Sequence, residues 1–518
     1  MQENKKLKLL IGCADFSRKT GMPMFLRTLS RELIKQGHGV AIVAPNVGLD
    51  PQIPSYLFSG FTPATINFKP DALILNEPLS AILLRHFPNT PAFNIIHSPT
   101  EWDTPIKDQR VRKYFCVKDE DEKYSLEQGI EKSKIRRMSI PIDLDYFKPL
   151  PSYKDRWEFA SISTIDALRR PMLFDLIEKA KQGQTVLIAG KDWRSLGDLS
   201  QYKNIKTLTI VAEEIADVRP YIAQSKYICG LFIGTITAEA WAMGKATIIY
   251  DKQGKITAKQ ERPPRDYKKY DAKRVVDGFI AEITAPEADI IIPHHNRVDM
   301  LAQLLPSIPI GFNVIVAKFG GSFSFNNNKG AKLAKTDTLI FCNDDIIIKD
   351  IRSLYGMIDN PADMVGCPTI FPDGRPQWYG LGFKRVNGKW QYFMAREKDD
   401  AIIPSGGFFK ISKKLFWSAG QPEYSGFDEG YINGGEDQSL SLKAIEKGAI
   451  ISFCDVPAIH HLSQSEGRFK HCDANEDRER REFLDNTARM DNLFASFDLV
   501  PDVPRPIMPV IPKRRFST

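Results

Sequence analysis

Two short acidic stretches and one pair of histidines hold most of the chemistry this chain can do. In TLIFCNDDIIIKD, Asn343, Asp344 and Asp345 close a run of large apolar residues. Carboxylates at the end of a buried strand are costly to desolvate unless they bind something. Strand alternation sends Asn343 and Asp345 to one side, where they could hold a divalent ion against phosphates; an acidic turn after a strand is the plainer alternative. In GFDEGYINGGEDQSLSLKAIEKG, Glu436 and Asp437 follow a glycine pair and open a helix. Glycines let backbone approach a ligand, and a helix N-terminus tolerates negative charge, although an ordinary acidic cap has the same look. ISFCDVPAIHHLSQSEGR then supplies two histidines after a strand, either of which could complete a metal site while the other serves the structure.

These residues need a scaffold, and the surrounding pattern supplies one. ADIIIPHHNR reads as a buried strand entering a polar loop, VDMLAQLLPSI as an amphipathic helix, FNVIVAK as the next strand and KGAKLAK as a helix before the acidic strand. The first half of the chain has the same rhythm: KLKLLIG, MFLRTLSRELIKQG, HGVAIVAP, DALILN and AFNIIH, then EFASIS, MLFDLIEKAKQG, TVLIAG, IKTLTIV, YICGLF, TAEAWAMG and KATIIYD. Short apolar runs alternating with amphipathic ones predict parallel sheets covered by helices, hence an α/β fold. The two N-terminal halves meet near Pro149. A polar stretch rich in proline and lysine follows Asp251 and reads as a linker or a bridging helix, and RPIMPVIPKRRFST is too rich in proline for a helix.

At 518 residues the chain exceeds what one core usually organises, and its 42% hydrophobic and 26% charged content are those of ordinary globular domains. The formal charge of +7 is mild and selects neither an anionic ligand, a membrane surface nor nucleic acid. Basic residues cluster between Lys259 and Arg274 and in the tail, where a solvated linker and a solvated end account for them. Seven cysteines without a C-x-x-C pair fit neither a disulfide framework nor a zinc ribbon, so a reducing, cytoplasmic setting is the expectation. The N-terminus lacks a signal-peptide pattern, and no apolar run approaches the ~18 residues of a membrane span. Membrane contact is therefore expected to be peripheral if it occurs.

Strand, NDD, GGED and HHLSQSEGR, in that order, resemble the GT-A glycosyltransferases over roughly Glu287 to Phe469. The likeness is to the large inverting family of polysaccharide and rhamnosyl transferases, with a C-terminal portion similar to the galactosyltransferase and chondroitin-synthase type. The resemblance implies that the loop Pro293 to Arg297, with Asn296 inside it and Asp344 nearby, embraces the nucleotide. It implies Asp345 and His461 as ligands of Mn²⁺ or Mg²⁺, and Asp437 as general base with Glu436 orienting the acceptor, or the two roles exchanged. The reaction implied is inverting transfer from a nucleotide sugar, a UDP-sugar being favoured, to a glycan or other hydroxyl. Where the family often has an aspartate for the nucleotide base, this chain has Lys318. Among the aromatic residues, Trp378 in GRPQWYGLG is the one expected at the acceptor.

Before Asp251, KTGMPMFLRTLSRELIKQGHGVAIVAP, NIIHSPTEW, IPIDLDYFKP and TAEAWAMGKATIIYD resemble the GT-B retaining glycosyltransferases. That likeness implies Gly21 at the donor phosphates, His97 beside the reacting sugar and Glu239 on the donor ribose. Leu231 stands where the group carries another glutamate, so this module is expected to be either altered or a noncatalytic holder. The organisation expected is a GT-B-like pair of Rossmann-like domains (1–149 and 150–257), a linker (258–286), a GT-A domain (287–480) and a tail (481–518). A multidomain glycosyltransferase is the leading reading. Transfer to modified DNA, favoured by the basic stretches, and a nucleotide-sugar-binding scaffold without turnover are the alternatives.

Overall fold

The computed structural model describes residues 6–461, apart from 18–20, 49, 59–68, 99, 151–152, 164–166, 191–198, 203, 214, 296, 387–388, 420–425 and 432–434. Two compact units emerge, one of residues 1–87 and 92–283, the other of residues 88–91 and 284–518. Each is described by itself.

The first unit holds two parallel sheets. In the seven-stranded sheet the strands, numbered along the chain, lie in the order 3-2-1-4-5-6-7. Strands such as Lys8–Gly12, Gly39–Ala44 and Ala72–Asn76 are buried almost throughout, which is why they read as unbroken apolar runs rather than alternating ones. Helix Gly21–Lys35 turns Phe25, Leu26, Leu29 and Leu33 inward. It stops at Gly37, whose φ of 88° no side chain favours, with Gly37 N–H on Ile34 O and His38 N–H on Leu33 O. The six-stranded sheet has the order 3-2-1-4-5-6, and its last strand, Ile256–Gln260, runs antiparallel to Ala246–Tyr250.

The stretch read as a linker or a bridging helix holds a strand and a helix. It contributes that edge strand and then helix Ala272–Thr284, which buries Val275, Val276, Phe279 and Ile283. Phe279 packs edge-on against Phe115 of the seven-stranded sheet at 4.8 Å, and the Glu282 carboxylate takes Lys113 at 3.0 Å and Arg136 at 2.8 Å. The chain thus leaves the first sheet and later returns to cover it. Outbound and returning segments touch where Ile142 N–H meets Tyr270 O and Ala272 N–H meets Ile142 O.

The second unit has a six-stranded sheet in the order 2-1-3-5-4-6. Strand Ala288–Pro293 lies between Phe312–Ala317 and Thr338–Cys342, all parallel, and Phe408–Ser412 then runs antiparallel to both of its neighbours. Helix Phe323–Leu333 covers one face, with Gly330 so close to Ile291 that a Cβ there would lie 2.6 Å from its methyl. A smaller four-stranded sheet pairs Ile346–Ile347 with Ala458–His460 and carries Thr369–Ile370 and Pro376–Trp378. Among the described residues, no helix is long and apolar enough to cross a membrane.

Candidate functional site

In the second unit the strand order reverses between Ala288–Pro293 and Thr338–Cys342, because their neighbours lie on opposite sides. Crevices at such points, outside the carboxyl ends of the strands, are where open α/β sheets bind ligands. The loop after the first strand delivers His294 and Arg297 there, and the turn after the second delivers Asn343, Asp344 and Asp345. Asp344 takes His294 Nδ1 at 2.9 Å and Arg297 Nη2 at 3.2 Å, and Asp345 takes Arg297 Nη1 at 2.6 Å. Both carboxylates are almost completely buried. Burial raises the Asp344 carboxyl despite the Arg297 charge and the His294 hydrogen bond. At Asp345 burial pushes the same way, but His460 and Arg297 together outweigh it and hold this carboxyl below its ordinary value.

Alternation does not extend to these residues. The strand ends at Cys342 and a turn begins, closed by Ile346 N–H on Asn343 O at 3.2 Å, so the adjacent Asp344 and Asp345 share one guanidinium. The histidine expectation shifts by one place. Pairing of Ile346 with His460 brings the His460 ring to Asp345, Nε2 to Oδ2 at 3.4 Å, whereas His461 touches Asp345 through its backbone N–H, 2.9 Å from the carbonyl oxygen. Nδ1 of His460 faces Gln377 Oε1 at 2.9 Å. Nε2 of the same ring faces a carboxylate oxygen of Asp345, and a cation between the two would take a ligand from each. Asp345 Oδ1 is buried with no hydrogen-bond partner. One imidazole nitrogen, two carboxylate oxygens and an unsatisfied acceptor suit Mn²⁺ or Mg²⁺. Among the described residues no trio of His, Cys, Asp or Glu is already gathered as a metal shell; the guanidinium stands among these donors instead.

Gly435 is the N-cap of helix Glu436–Glu446 at φ 101°, a conformation that glycine alone adopts cheaply, and it delivers Glu436 and Asp437 into the first turn. Asp437 Oδ2 accepts Gly406 N–H at 2.7 Å and Oδ1 accepts Gln438 N–H at 3.0 Å. Gly407 O accepts Asn343 N–H at 2.8 Å. The Ser405–Gly407 turn therefore ties the acidic helix start to the acidic strand end. Sequence reasoning passed over this turn, although two glycines before the buried strand Phe408–Ser412 are a visible signal. It also passed over His294 and Gln377 as partners of the site, and it left open which of His460 and His461 turns its ring to the aspartates. Trp378 lies on a short strand rather than a loop, half-buried, its ring 5.7 Å from that of His460. Lys318 is exposed beyond its strand, and Asn296 falls outside the described residues.

The first unit contains a cleft of about 1200 Å³. Its wall includes Gly21, Arg27 and Arg31 from the seven-stranded half, and Arg169, Leu231, Thr235, Thr237 and Glu239 from the six-stranded half. Gly21 sits at φ 56° with nothing within 4 Å of its would-be Cβ, open to a ligand. Burial pushes the Glu239 carboxyl up to about 8, so at neutral pH it is an acid that can donate as well as accept. Phe232, next to Leu231, is held at φ 58°, strain of the kind that collects at binding sites. His97 does not line the cleft. Its ring meets Phe25 edge-on at 4.5 Å and Asn76 Oδ1 at 3.1 Å, and burial drives it down to about 3, leaving a neutral imidazole. Asp103 accepts the N–H groups of His97 and Ser98, with burial raising its carboxyl to about 6.

No family model matches the chain, and no curated protein matches it. Solved structures similar to about half of the chain are glycosyltransferases. A glycosyltransferase from Rickettsia africae is 15% identical over 48% of this chain and 79% of its own, with a TM-score of 0.37. Anabaena HepE in complex with UDP-glucose is 12% identical over 53% of this chain and 98% of its own, at 0.39. An alpha-glucosyltransferase in complex with UDP and a 13-mer DNA containing an HMU base is 12% identical over 48% and 80%, at 0.38. At such identities and scores the likeness decides no residue's role.

Proposed function

We propose that the chain is a nucleotide-sugar-dependent glycosyltransferase whose C-terminal centre, of GT-A type, is metal-dependent and inverting, and whose N-terminal cleft is a second, GT-B-like donor site. The observation that carries this is the pair of buried carboxylates, Asp344 and Asp345, at the carboxyl end of a parallel strand and at the reversal of strand order. Desolvated acids at that point of an α/β sheet, with a histidine nitrogen aimed at one of them, are suited to a cation that accompanies a diphosphate.

In this reading Asp345 and His460 hold Mn²⁺ or Mg²⁺, which when bound neutralises charge on the departing diphosphate. His294 holds Asp344 in place, and Gln377 fixes the ring of His460. Asp437, oriented by Gly406 and Gln438, takes the proton from the acceptor hydroxyl as its oxygen attacks the anomeric carbon from the side opposite the leaving group, which inverts that centre. Glu436 orients the acceptor from the same helical turn. In the first unit, Gly21 admits donor phosphates to the cleft and the protonated Glu239 hydrogen-bonds a donor hydroxyl. The acceptor class proposed is a glycan or other hydroxyl compound.

The test is hydrolysis and transfer with UDP-, GDP- and dTDP-sugars and Mn²⁺, comparing the native chain with Asp345→Ala, Asp437→Asn and Glu239→Ala. Loss of metal-dependent turnover in the first two, with the third removing only a separable activity, is the expected result, and the anomeric configuration of the product reports inversion. A native chain that binds a donor but turns none over would sink the reading in favour of a scaffold.

A further inference from the structure

Arg297 is the one cation within salt-bridge distance of both Asp344 and Asp345 among the described residues, and it stands on a loop rather than in the core. Its Nη1 is 2.6 Å from Asp345 Oδ2 and its Nη2 is 3.2 Å from Asp344 Oδ1, while two-fifths of its side chain remains exposed. The aspartates are almost fully buried; the guanidinium is not. A planar fork of donors bridging two carboxylates does the electrostatic work of a divalent ion, and it occupies the oxygens such an ion would take.

We infer that Arg297 is an exchangeable counter-cation: a divalent ion and a nucleotide diphosphate enter together, the ion displacing the guanidinium from Asp345 and the guanidinium moving onto the diphosphate. This inference rests on the proposed metal-dependent centre and adds the coupling between its ligands. An ion arriving alone must expel Arg297 from a buried carboxylate into water, with no new partner for the charge. An ion arriving with a diphosphate leaves the guanidinium a second anion of matching geometry. Binding of ion and nucleotide is therefore cooperative, and by linkage each strengthens the other by the same factor.

The experiment is Mn²⁺ binding to the full chain, followed by electron paramagnetic resonance and calorimetry, with Mn²⁺ alone and with UDP, GDP and dTDP in turn. The native chain is expected to bind Mn²⁺ alone weakly and at least roughly tenfold more tightly with the preferred nucleotide, a coupling within the range of ordinary linked sites. Arg297→Met should bind Mn²⁺ alone at least roughly tenfold more tightly than the native chain, bind the nucleotide more weakly, and lose most of the coupling. Arg297→Lys, which keeps a charge without the fork, should fall between them and serves if the methionine variant does not fold. Asp345→Ala should bind no Mn²⁺ under any condition. If the native chain binds Mn²⁺ with nucleotide while neither Arg297 variant binds Mn²⁺ alone more tightly, the exchange is overturned and the metal site stands. If the native chain binds no Mn²⁺ with any nucleotide, the exchange and the metal-dependent reading fall together.

Discussion

Gly406 N–H donates to Asp437 Oδ2 at 2.7 Å, and a Cβ on Gly406 would lie 2.8 Å from that same oxygen. Backbone and carboxylate fit only because residue 406 has no side chain. Gly406→Ala is expected to push the Asp437 carboxylate off its N–H group and lower turnover by about 100-fold, the scale of a displaced general base. Donor binding and the melting temperature should change little. Steady-state kinetics with the preferred donor, beside a thermal scan, checks this; unchanged turnover would remove Asp437 from the reaction.

The two histidines should separate cleanly. His460→Ala removes the ring at Asp345 and is expected to lower metal affinity and turnover by about 10- to 100-fold, the usual cost of losing a ligand or its support. His461→Ala leaves its backbone N–H on Asp345 O and should stay within about threefold of the native chain. Mn²⁺ titration of both variants distinguishes them, and equal losses would contradict the pairing of Ile346 with His460.

Glu239 makes a pH prediction. Its carboxyl is raised by burial from 4.5 to about 8, so between these values the folded chain keeps a proton that the unfolded chain has lost. The contribution of this group to stability therefore falls as pH climbs through that window and levels off above it. Relative to the native chain, Glu239→Gln should melt at nearly the same temperature at pH 5 and roughly 3 °C or more higher at pH 8.5. Parallel melting curves across the range would mean that Glu239 is solvated.

Helix Ala272–Thr284 should behave as part of the first unit's core. Phe279 is 2% exposed and packed edge-on against Phe115, so Phe279→Ala is expected to cost about 3 to 5 kcal/mol, the range for a large aromatic removed from a core. Glu282→Ala, at a half-exposed carboxylate shared by Lys113 and Arg136, should cost about 1 kcal/mol or less. Hydrogen exchange of amides in strand Val111–Cys116 reads both effects, and protection unchanged in Phe279→Ala would show that the helix is dispensable to that sheet.

What the sequence made legible were the elements whose burial is local. KLLIG, GVAIVA and ALILN carry unbroken apolar cores because these strands are buried almost throughout, and the Phe25, Leu29, Leu33 spacing marks a helix whatever its partner. The acidic turn was visible for the same reason, since carboxylates beside Phe341 and Cys342 are conspicuous. The histidine was not, because which ring points inward depends on the register of Ala458–His460 against Ile346–Ile347, a pairing between distant segments that no local pattern encodes. Asn343 and Asp345 were expected on one side by alternation, which fails once the strand gives way to a turn. Helix Ala272–Thr284 was half legible: Val275, Val276, Phe279 and Ile283 form an apolar stripe that fits a bridging helix, but the lysines, arginines and prolines before it gave the stretch the composition of a spacer and left the two readings open. Asp437 and Gly406 lie far apart in the chain, and only the fold brings them together.

The return of helix Ala272–Thr284 to the seven-stranded sheet has a consequence for biosynthesis. Chains emerge from the ribosome N-terminus first, and domains ordinarily close in that order. Here strand Val111–Cys116 is made early, yet Phe279, which covers Phe115, emerges only after the whole six-stranded sheet has been translated. The Phe115 face of the first sheet to leave the ribosome is thus sealed only after the second sheet has followed it.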